Sequence, residues 1–192
     1  MKNRNRRYQI RYSFNFLTVV IFAAAVSLIV TGAFSTLPAE AQKGNWKYIV
    51  IHHSATDDGN AEIFDKCHKK RGMENGLAYH FVINNGRSGT EDGQIQTGLR
   101  WKRQIEGGHV RQRWLNIEGI GICVVGNLNN HKMTKKQYWS LVWLTRDLME
   151  KCNIPSQNVL FHGKIKGEKT ECPGTYFPYK GFMRNIKSGK RK

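Results

Sequence analysis

Residue types that bind zinc occur at the ends of apolar segments of this chain. His162 follows a short apolar run, and Cys172 lies ten residues further on, just before a proline-glycine turn. An imidazole and a thiolate are both good zinc ligands, and a catalytic zinc usually takes three protein ligands and leaves its fourth position to water. His52 and His53, which end the strand-like run KYIVIHHS, are the candidates for the third ligand. The sequence therefore predicts a His/His/Cys zinc site that is open on one side.

The two adjacent histidines compete for the same place in this site. Successive side chains of a strand point to opposite faces, so His52 and His53 cannot both reach one metal without distortion. The strand geometry alone does not choose between them.

Apolar runs and helix signals predict the elements that must position these ligands. Strands are expected over 47–53, 77–84, 94–99 and 120–125, with one more leading to His162. Helices are expected from 61 to about 71, from a capping box of Thr134 and Gln137 to about 151, and over 176–187, while 100–116 has no clear periodicity and is predicted to be a loop. Because strands and helices alternate, we expect an α/β fold with a mixed central β-sheet flanked by helices.

Four ordered motifs carry a family resemblance: a strand ending in HHSAT, then GLAYHFVINNG, then GIGICVVG, then an HG dipeptide followed by TECPG. Together they resemble the zinc-dependent N-acetylmuramoyl-L-alanine amidases of type 2, which include the phage lysozyme-type amidases and the peptidoglycan recognition proteins. The resemblance covers roughly 45–177. It implies a single amidase/peptidoglycan-recognition-type domain over 45–187 that hydrolyses the amide between N-acetylmuramic acid and L-alanine. It also implies that Zn²⁺ is bound by His52, His162 and Cys172.

The resemblance assigns roles to further residues. Tyr79 matches a catalytic tyrosine that faces the metal-bound water, Thr170 matches a catalytic position that helps polarise the scissile carbonyl, and His109 matches a substrate-binding histidine that lines the groove. Taken alone, Tyr79 would be a half-buried strand aromatic and Thr170 an ordinary loop residue. The cytosolic amidases that act on anhydro-muropeptides use a glutamate where this chain has Cys123, and Glu118 lies before that strand, so an anhydro-specific role is not expected.

Other aromatic, basic and histidine residues have weaker functional signals. His80 should point away from Tyr79 and is interpreted as structural, and His131 carries no signal. Residues between 100 and 116 could form the floor of a groove for sugar rings and peptide carboxylates, namely Trp101, Trp114, Arg100, Lys102, Arg103, Arg111 and Arg113. The alternative, preferred for each tryptophan taken singly, is that it closes an edge of the core.

The first 41 residues have the layout of an export signal. Five basic residues precede an uncharged stretch with an apolar centre over 14–34, and small residues then follow at the spacing of an A-x-A cleavage site. Cleavage after Ala41 is the first choice, but the apolar stretch is long enough to span a bilayer, so an uncleaved signal anchor stays open. In either case the rest of the chain is expected to be exported to the periplasm, the cell envelope or the medium.

The charge of the exported part favours a polyanionic partner. Residues 1–41 carry five basic residues and Glu40, so their removal lowers the net charge from +17 by four, to +13. The expected partners are peptidoglycan or muropeptides and the anionic cell-wall surface, unless the charge serves only solubility. No nucleic-acid-binding motif is visible, so no nucleic-acid partner is expected.

The remaining expectations concern assembly, the tail and the cysteines. We expect a monomer with a mobile basic tail over 188–192. Cys123 is interpreted as a buried small hydrophobe, and a bridge between Cys67 and Cys152 stays open although their spacing does not support it. The rival to an amidase is a non-catalytic module that holds muropeptide. Such modules typically lack the ligand cysteine, which is present here.

Overall fold

A five-stranded mixed sheet forms the centre of the described part of the chain, residues 44–188 of this computed structural model. The strands are β1 (Tyr48–His53), β2 (Phe81–Asn85), β3 (Asp92–Thr97), β4 (Gly119–Val124) and β5 (Val159–Phe161). Their order in the sheet is β3-β2-β4-β1-β5. The predicted export signal over 1–41 and the predicted tail after Ser188 lie outside the described residues.

The sheet is parallel except at one edge. β1 pairs in parallel with β4 and with β5, and β4 pairs in parallel with β2. β3 is antiparallel to β2, as expected for two strands joined by a tight connection. β1 and β4 lie between neighbours on both sides and are apolar at nearly every position, which is typical of central strands that are covered on both faces.

Within residues 44–188, five α-helices accompany the sheet: α1 (Ala61–Lys70), α2 (Leu99–Arg103), α3 (Arg113–Glu118), α4 (Lys135–Lys151) and α5 (Tyr179–Lys187). The side chain of Asn60 accepts a hydrogen bond from the backbone N–H of Ile63 and caps α1. Thr134 and Gln137 form the predicted capping box of α4. Among residues 44–188, no helix is both long and apolar enough to cross a membrane.

The two faces of the sheet carry different layers. On one face, isoleucines of β1, β2 and β4 pack with α4 and α5 in the main core, where each fully buried aliphatic side chain contributes roughly 1.5–3 kcal/mol. The other face carries a smaller cluster that includes Val82, Cys123 and Phe64 of α1. Side chains alternate along β1, so His52 lies on the face of this smaller cluster and His53 on the face of the main core.

The prediction of an α/β fold with a mixed central sheet flanked by helices is confirmed. The prediction of a loop over 100–116 is wrong in part, because α2 and α3 occupy both of its ends. Helices of five and six residues are too short to display a period, and tertiary contacts such as the burial of Leu115 stabilise them instead. β2 begins at Phe81 rather than at 77, β3 lies two residues earlier than predicted, and α5 begins only after Pro178.

Candidate metal centre

The three predicted ligands meet at one edge of the sheet. His52 is the penultimate residue of β1, and His162 directly follows β5. Parallel pairing places Ile51 beside Phe161, so the residues after them leave the sheet at the same edge. Cys172 reaches this edge from the following loop. The metal-binding atoms of the three side chains lie within 4.8 Å of one another.

The donor set and its spacing fit a zinc ion. Nδ1 of His52 lies 3.7 Å from Sγ of Cys172, and a tetrahedral zinc separates a nitrogen ligand from a sulfur ligand by about 3.6 Å. The ring centroids of His52 and His162 are 4.5 Å apart. Two imidazoles and one thiolate leave a fourth position for water, as in catalytic zinc sites. These side chains could therefore hold zinc with little rearrangement.

A close approach of two backbone segments brings Cys172 to the histidines. The N–H of Gly163 donates to the carbonyl oxygen of Cys172 at 2.6 Å. A Cβ at position 163 would lie 2.3 Å from the carbonyl oxygen of Thr170, so a glycine is needed for the segments to come this close. The backbone N–H of His53 also donates to the Cys172 sulfur at 3.3 Å. The cysteine is thereby fixed beside the ends of both histidine-bearing strands.

A chain of hydrogen bonds sets the tautomer of His52. Nε2 of His109 lies 3.2 Å from the carbonyl oxygen of Gly119, which can only accept, so this nitrogen carries the proton. Nδ1 of His109 is then an acceptor, and Nε2 of His52, 3.1 Å away, must donate to it. The proton of His52 therefore lies on Nε2, and the lone pair of its Nδ1 is free to bind a metal.

The surroundings keep the histidines neutral. Burial, reinforced by the neighbouring rings of His109 and His162, holds the pKa of His52 well below its ordinary value. Burial also lowers the pKa of His162, although Glu168 opposes this shift. Burial raises the pKa of the Cys172 thiol to about 12. Since a metal binds the thiolate, metal binding at this site releases a proton from Cys172.

Tyr79 lies at the same site. Its ring centroid is 5.2 Å from that of His52. Burial, together with the adjacent Cys123 and Cys172, raises the pKa of Tyr79 well above its ordinary value, and its hydroxyl shares a hydrogen bond with the Cys123 thiol. Cys123 is fully buried, as predicted, and pairs with His52 across the sheet. The phenol therefore stays protonated near neutral pH, and its hydroxyl is available as a hydrogen-bond donor.

The other two predicted functional residues occupy different environments. Thr170 is exposed, and its hydroxyl accepts a hydrogen bond from the backbone N–H of Cys172 at 3.2 Å. His109 is buried, and both of its ring nitrogens already have partners. The geometry gives His109 a clear contact with His52, a candidate metal ligand, whereas its contact with substrate stays a prediction.

The remaining histidines have structural partners. Nδ1 of His53 accepts from the backbone N–H of Leu128 at 3.0 Å, so His53 is anchored away from the cluster. His80 accepts from the N–H of Gly121 and lies 3.2 Å from the carbonyl oxygen of Ile105, in agreement with its interpretation as structural. His131 forms a surface contact with Asp57.

The structure places the aromatic and basic residues of the predicted groove floor in different environments. The guanidinium of Arg100 is buried and donates to the backbone carbonyls of Leu77 and Glu106, so it is not available to a substrate. Trp101 packs against the main core, which favours the core-edge interpretation for this residue. Trp114 is 50% exposed and contacts the Tyr48 ring, so it alone of the two tryptophans offers a broad surface.

Two features of the site are not predicted by the sequence motifs. One is the contact of His109 with His52, because the residues are 57 positions apart and nothing in the local pattern links them. The other is Glu168, whose buried carboxylate lies beside His162. Its only sequence signal is its position in the loop between two ligands. Cys67 and Cys152 are not joined by a disulfide.

Comparisons with known proteins agree with the geometry. Residues 42–175 match the protein family described as N-acetylmuramoyl-L-alanine amidase. The chain is 29% identical over 182 residues to peptidoglycan-recognition protein SC2 of Drosophila melanogaster. This match covers 83% of this chain and 89% of that protein.

Solved structures of similar fold include an amidase. The N-acetylmuramoyl-L-alanine amidase LysC from Clostridium intestinale URNW superposes with a TM-score of 0.64 at 32% identity, over 74% of this chain and 86% of that chain. A mutant of the Drosophila recognition protein PGRP-LB, in complex with tracheal cytotoxin, has a TM-score of 0.56 at 23% identity, over 72% and 80% of the two chains. The second likeness concerns the fold alone.

Proposed function

Because this chain belongs to the N-acetylmuramoyl-L-alanine amidase family, we propose that it is a zinc-dependent hydrolase that cleaves the amide between N-acetylmuramic acid and L-alanine in peptidoglycan. The observation that carries this proposal is the meeting of His52, His162 and Cys172 at one edge of the sheet, with their donor atoms within 4.8 Å of one another. A family member that only bound muropeptide would have no need for this donor set.

The roles of the side chains follow from their surroundings. Zinc held by the three ligands would supply a Lewis acid for the scissile carbonyl and would activate water at neutral pH. His109 keeps the proton of His52 on Nε2 and so presents Nδ1 as a ligand. Tyr79 stays neutral and donates a hydrogen bond to the oxygen on which negative charge develops. Thr170 accepts a hydrogen bond from the backbone N–H of Cys172 and so helps to fix the loop of that residue, and its role in polarising the scissile carbonyl stays a prediction.

The substrate class is supported by the relatives and by charge. The relatives include amidases and peptidoglycan-recognition proteins, one of them in complex with tracheal cytotoxin. The net charge of +13 that remains without residues 1–41 suits an anionic cell wall. We propose that the protein acts outside the cytoplasm, through the export signal predicted over 1–41. Monomeric state and membrane anchoring stay predictions.

The function is tested by zinc analysis of the purified protein and by digestion of cell walls with and without a chelator. Release of free stem peptides with intact glycan, abolished by chelator and restored by zinc, is the expected result. Binding of cell wall without release of peptides would instead favour a recognition module.

Two variants separate metal binding from turnover. Cys172→Ser should lose zinc and activity together, because a neutral hydroxyl is a poor replacement for a thiolate. Tyr79→Phe should keep zinc but lower kcat by roughly 10²–10³-fold, the usual effect of removing one such donor. Cys67→Ser, at an exposed position of α1, is the matched control and should change neither. Unchanged turnover in Tyr79→Phe would remove Tyr79 from the mechanism.

A further inference from the structure

The side chain of Glu168 is buried, although this residue lies between two exposed neighbours in the loop that leads to Cys172. Only 3% of that side chain is exposed. A carboxylate is costly to bury unless other groups compensate its charge and satisfy its hydrogen-bonding capacity. The burial of Glu168 therefore calls for partners, and the structure contains two.

The two carboxylate oxygens have different partners. Oε1 accepts a hydrogen bond from the backbone N–H of Arg111 at 2.7 Å. Oε2 lies 3.2 Å from Nε2 of His162. That nitrogen is buried, and within residues 44–188 it has no hydrogen bond of regular geometry, its contact with Glu168 included. The carboxylate is thus the polar group that faces Nε2 of a candidate metal ligand.

The orientation of the His162 ring follows from this contact. The two nitrogens of an imidazole lie on different sides of the ring, so a ring whose Nε2 faces Glu168 has its Nδ1 left for a metal. A carboxylate can only accept, and its presence therefore favours the tautomer of His162 with the proton on Nε2. Histidine ligands in metal proteins commonly donate their second N–H to a carboxylate or a carbonyl, which fixes the ring and raises its basicity.

We propose that Glu168 is a positioning residue of the metal centre: its carboxylate receives the Nε2 proton of His162 and so directs Nδ1 of that ring at the zinc. The inference rests on the proposed function, since it assumes that the three-residue cluster binds zinc. Glu168 then does for His162 what His109 and the carbonyl of Gly119 do for His52. A second contact, from the side chain of Gln112 to the carbonyl oxygen of Lys166, ties the same loop in place independently of Glu168.

The variants Glu168→Gln and Glu168→Ala test the proposal against a purely structural role. Glutamine has nearly the same volume, but an NH₂ group replaces one of the two carboxylate oxygens, so it cannot accept at both the Arg111 and the His162 positions. Zinc affinity, measured by competition with a chelating dye, should fall about 10-fold for glutamine and up to about 100-fold for alanine. Glu171→Gln is the matched control, because the carboxylate of this exposed acid in the same loop accepts from the side chain of Asn129, and the change should leave the affinity unchanged.

The tautomer of His162 is the second readout. Long-range ¹H–¹⁵N NMR of the metal-free protein should show the His162 proton on Nε2 in the wild type and a mixture of tautomers in Glu168→Gln. Zinc affinity within twofold of the wild type in Glu168→Gln would overturn the proposal. So would a loss of affinity with an unchanged tautomer, since that would mean that Glu168 only anchors the loop. If Glu168→Ala does not fold, Glu168→Gln decides the matter alone.

Failure of this inference and failure of the proposed function give different results. A wild-type protein that binds zinc but releases no stem peptides contradicts the amidase and leaves the role of Glu168 to be judged by affinity and tautomer. An active wild-type enzyme whose Glu168→Gln variant binds zinc normally contradicts the role of Glu168 alone.

Discussion

Replacement of His109 tests how the chain prepares His52 for a metal. His52 is 1% exposed, and its Nε2 donates to Nδ1 of His109. His109→Leu removes this acceptor while keeping a side chain of similar bulk. His109→Asn keeps an acceptor, because the side-chain oxygen of asparagine occupies about the same place as Nδ1 of histidine. The two variants therefore differ mainly in whether the N–H of His52 has a partner.

The size of the effect follows from the burial of that N–H group. A buried donor left without an acceptor costs about 1–3 kcal/mol. In the metal-free leucine variant, His52 can avoid this cost by moving its proton to Nδ1, but a metal requires the lone pair of that atom. The whole cost therefore falls on zinc binding. Since about 1.4 kcal/mol corresponds to a factor of ten, His109→Leu should weaken zinc binding roughly 5- to 150-fold.

The assay is competition for zinc between the metal-free protein and a chelator of known affinity at pH 7.5, with urea unfolding of the metal-free protein alongside. His109→Asn should recover at least half of the lost free energy of binding. His131→Leu is the control, because this exposed histidine contacts Asp57 and the carbonyl oxygen of Lys132 at the surface and should not alter zinc affinity. Equal affinities for the leucine and asparagine variants, or wild-type affinity in both, would refute the hydrogen-bond argument.

Two further predictions concern backbone packing and pH. Gly163→Ala places a Cβ 2.3 Å from the carbonyl oxygen of Thr170, so the loop that carries Cys172 must shift at a cost of about 1–3 kcal/mol, and zinc affinity should fall in proportion. Gly181→Ala is the control, because its added Cβ would meet the Tyr138 hydroxyl at 3.6 Å, an ordinary van der Waals distance, and should not change the affinity. Burial lowers the pKa of His80 to about 3 and that of His109 to about 4, against an ordinary value of 6.5. The unfolded chain takes up protons on these two rings near pH 6.5, whereas the folded chain keeps the rings neutral to lower pH. The neutral rings therefore contribute fully to the free energy of unfolding above about pH 6.5, and this contribution is lost as the pH falls toward about 4. The loss is at most about 1.4 kcal/mol per pH unit for each ring. Urea unfolding of the metal-free protein at pH 7, 6, 5 and 4.5 measures this loss, and a constant free energy of unfolding over that range would contradict it.

The ligand cluster could be predicted from the sequence because local patterns determine its position. A parallel strand that ends in histidine delivers that residue to one edge of the sheet, and both His52 and His162 follow apolar runs of this kind. The choice of His52 over His53 required the family resemblance, since alternation says only that they point apart. The structure gives the physical reason, because His53 lies toward the main core and binds the backbone of Leu128.

The supporting residues could not be predicted because their contacts are long-range. His109 and His52 are separated by 57 positions, as are Arg111 and Glu168, and no local periodicity links the two members of either pair. The prediction that Arg100 lies on a substrate groove, within the segment 100–116, is wrong for a related reason. Arg100 is a long cationic residue that composition places at the surface, yet its guanidinium is buried against backbone carbonyls that become its neighbours only in the folded chain.

The two faces of β4 explain why the site can form on its side of the sheet. Ile120, Ile122 and Val124 fill the main core, whereas the alternate positions carry small residues. At one of these, a Cβ added to Gly121 would lie 2.4 Å from Cδ2 of His109, so the imidazole lies directly against the strand backbone. The missing side chain creates the space in which His109 reaches both the carbonyl oxygen of Gly119 and the ring of His52. β4 thus supplies large side chains to the main core on one face and leaves room for the His109 ring on the other. That ring, in turn, determines which nitrogen of His52 can bind a metal.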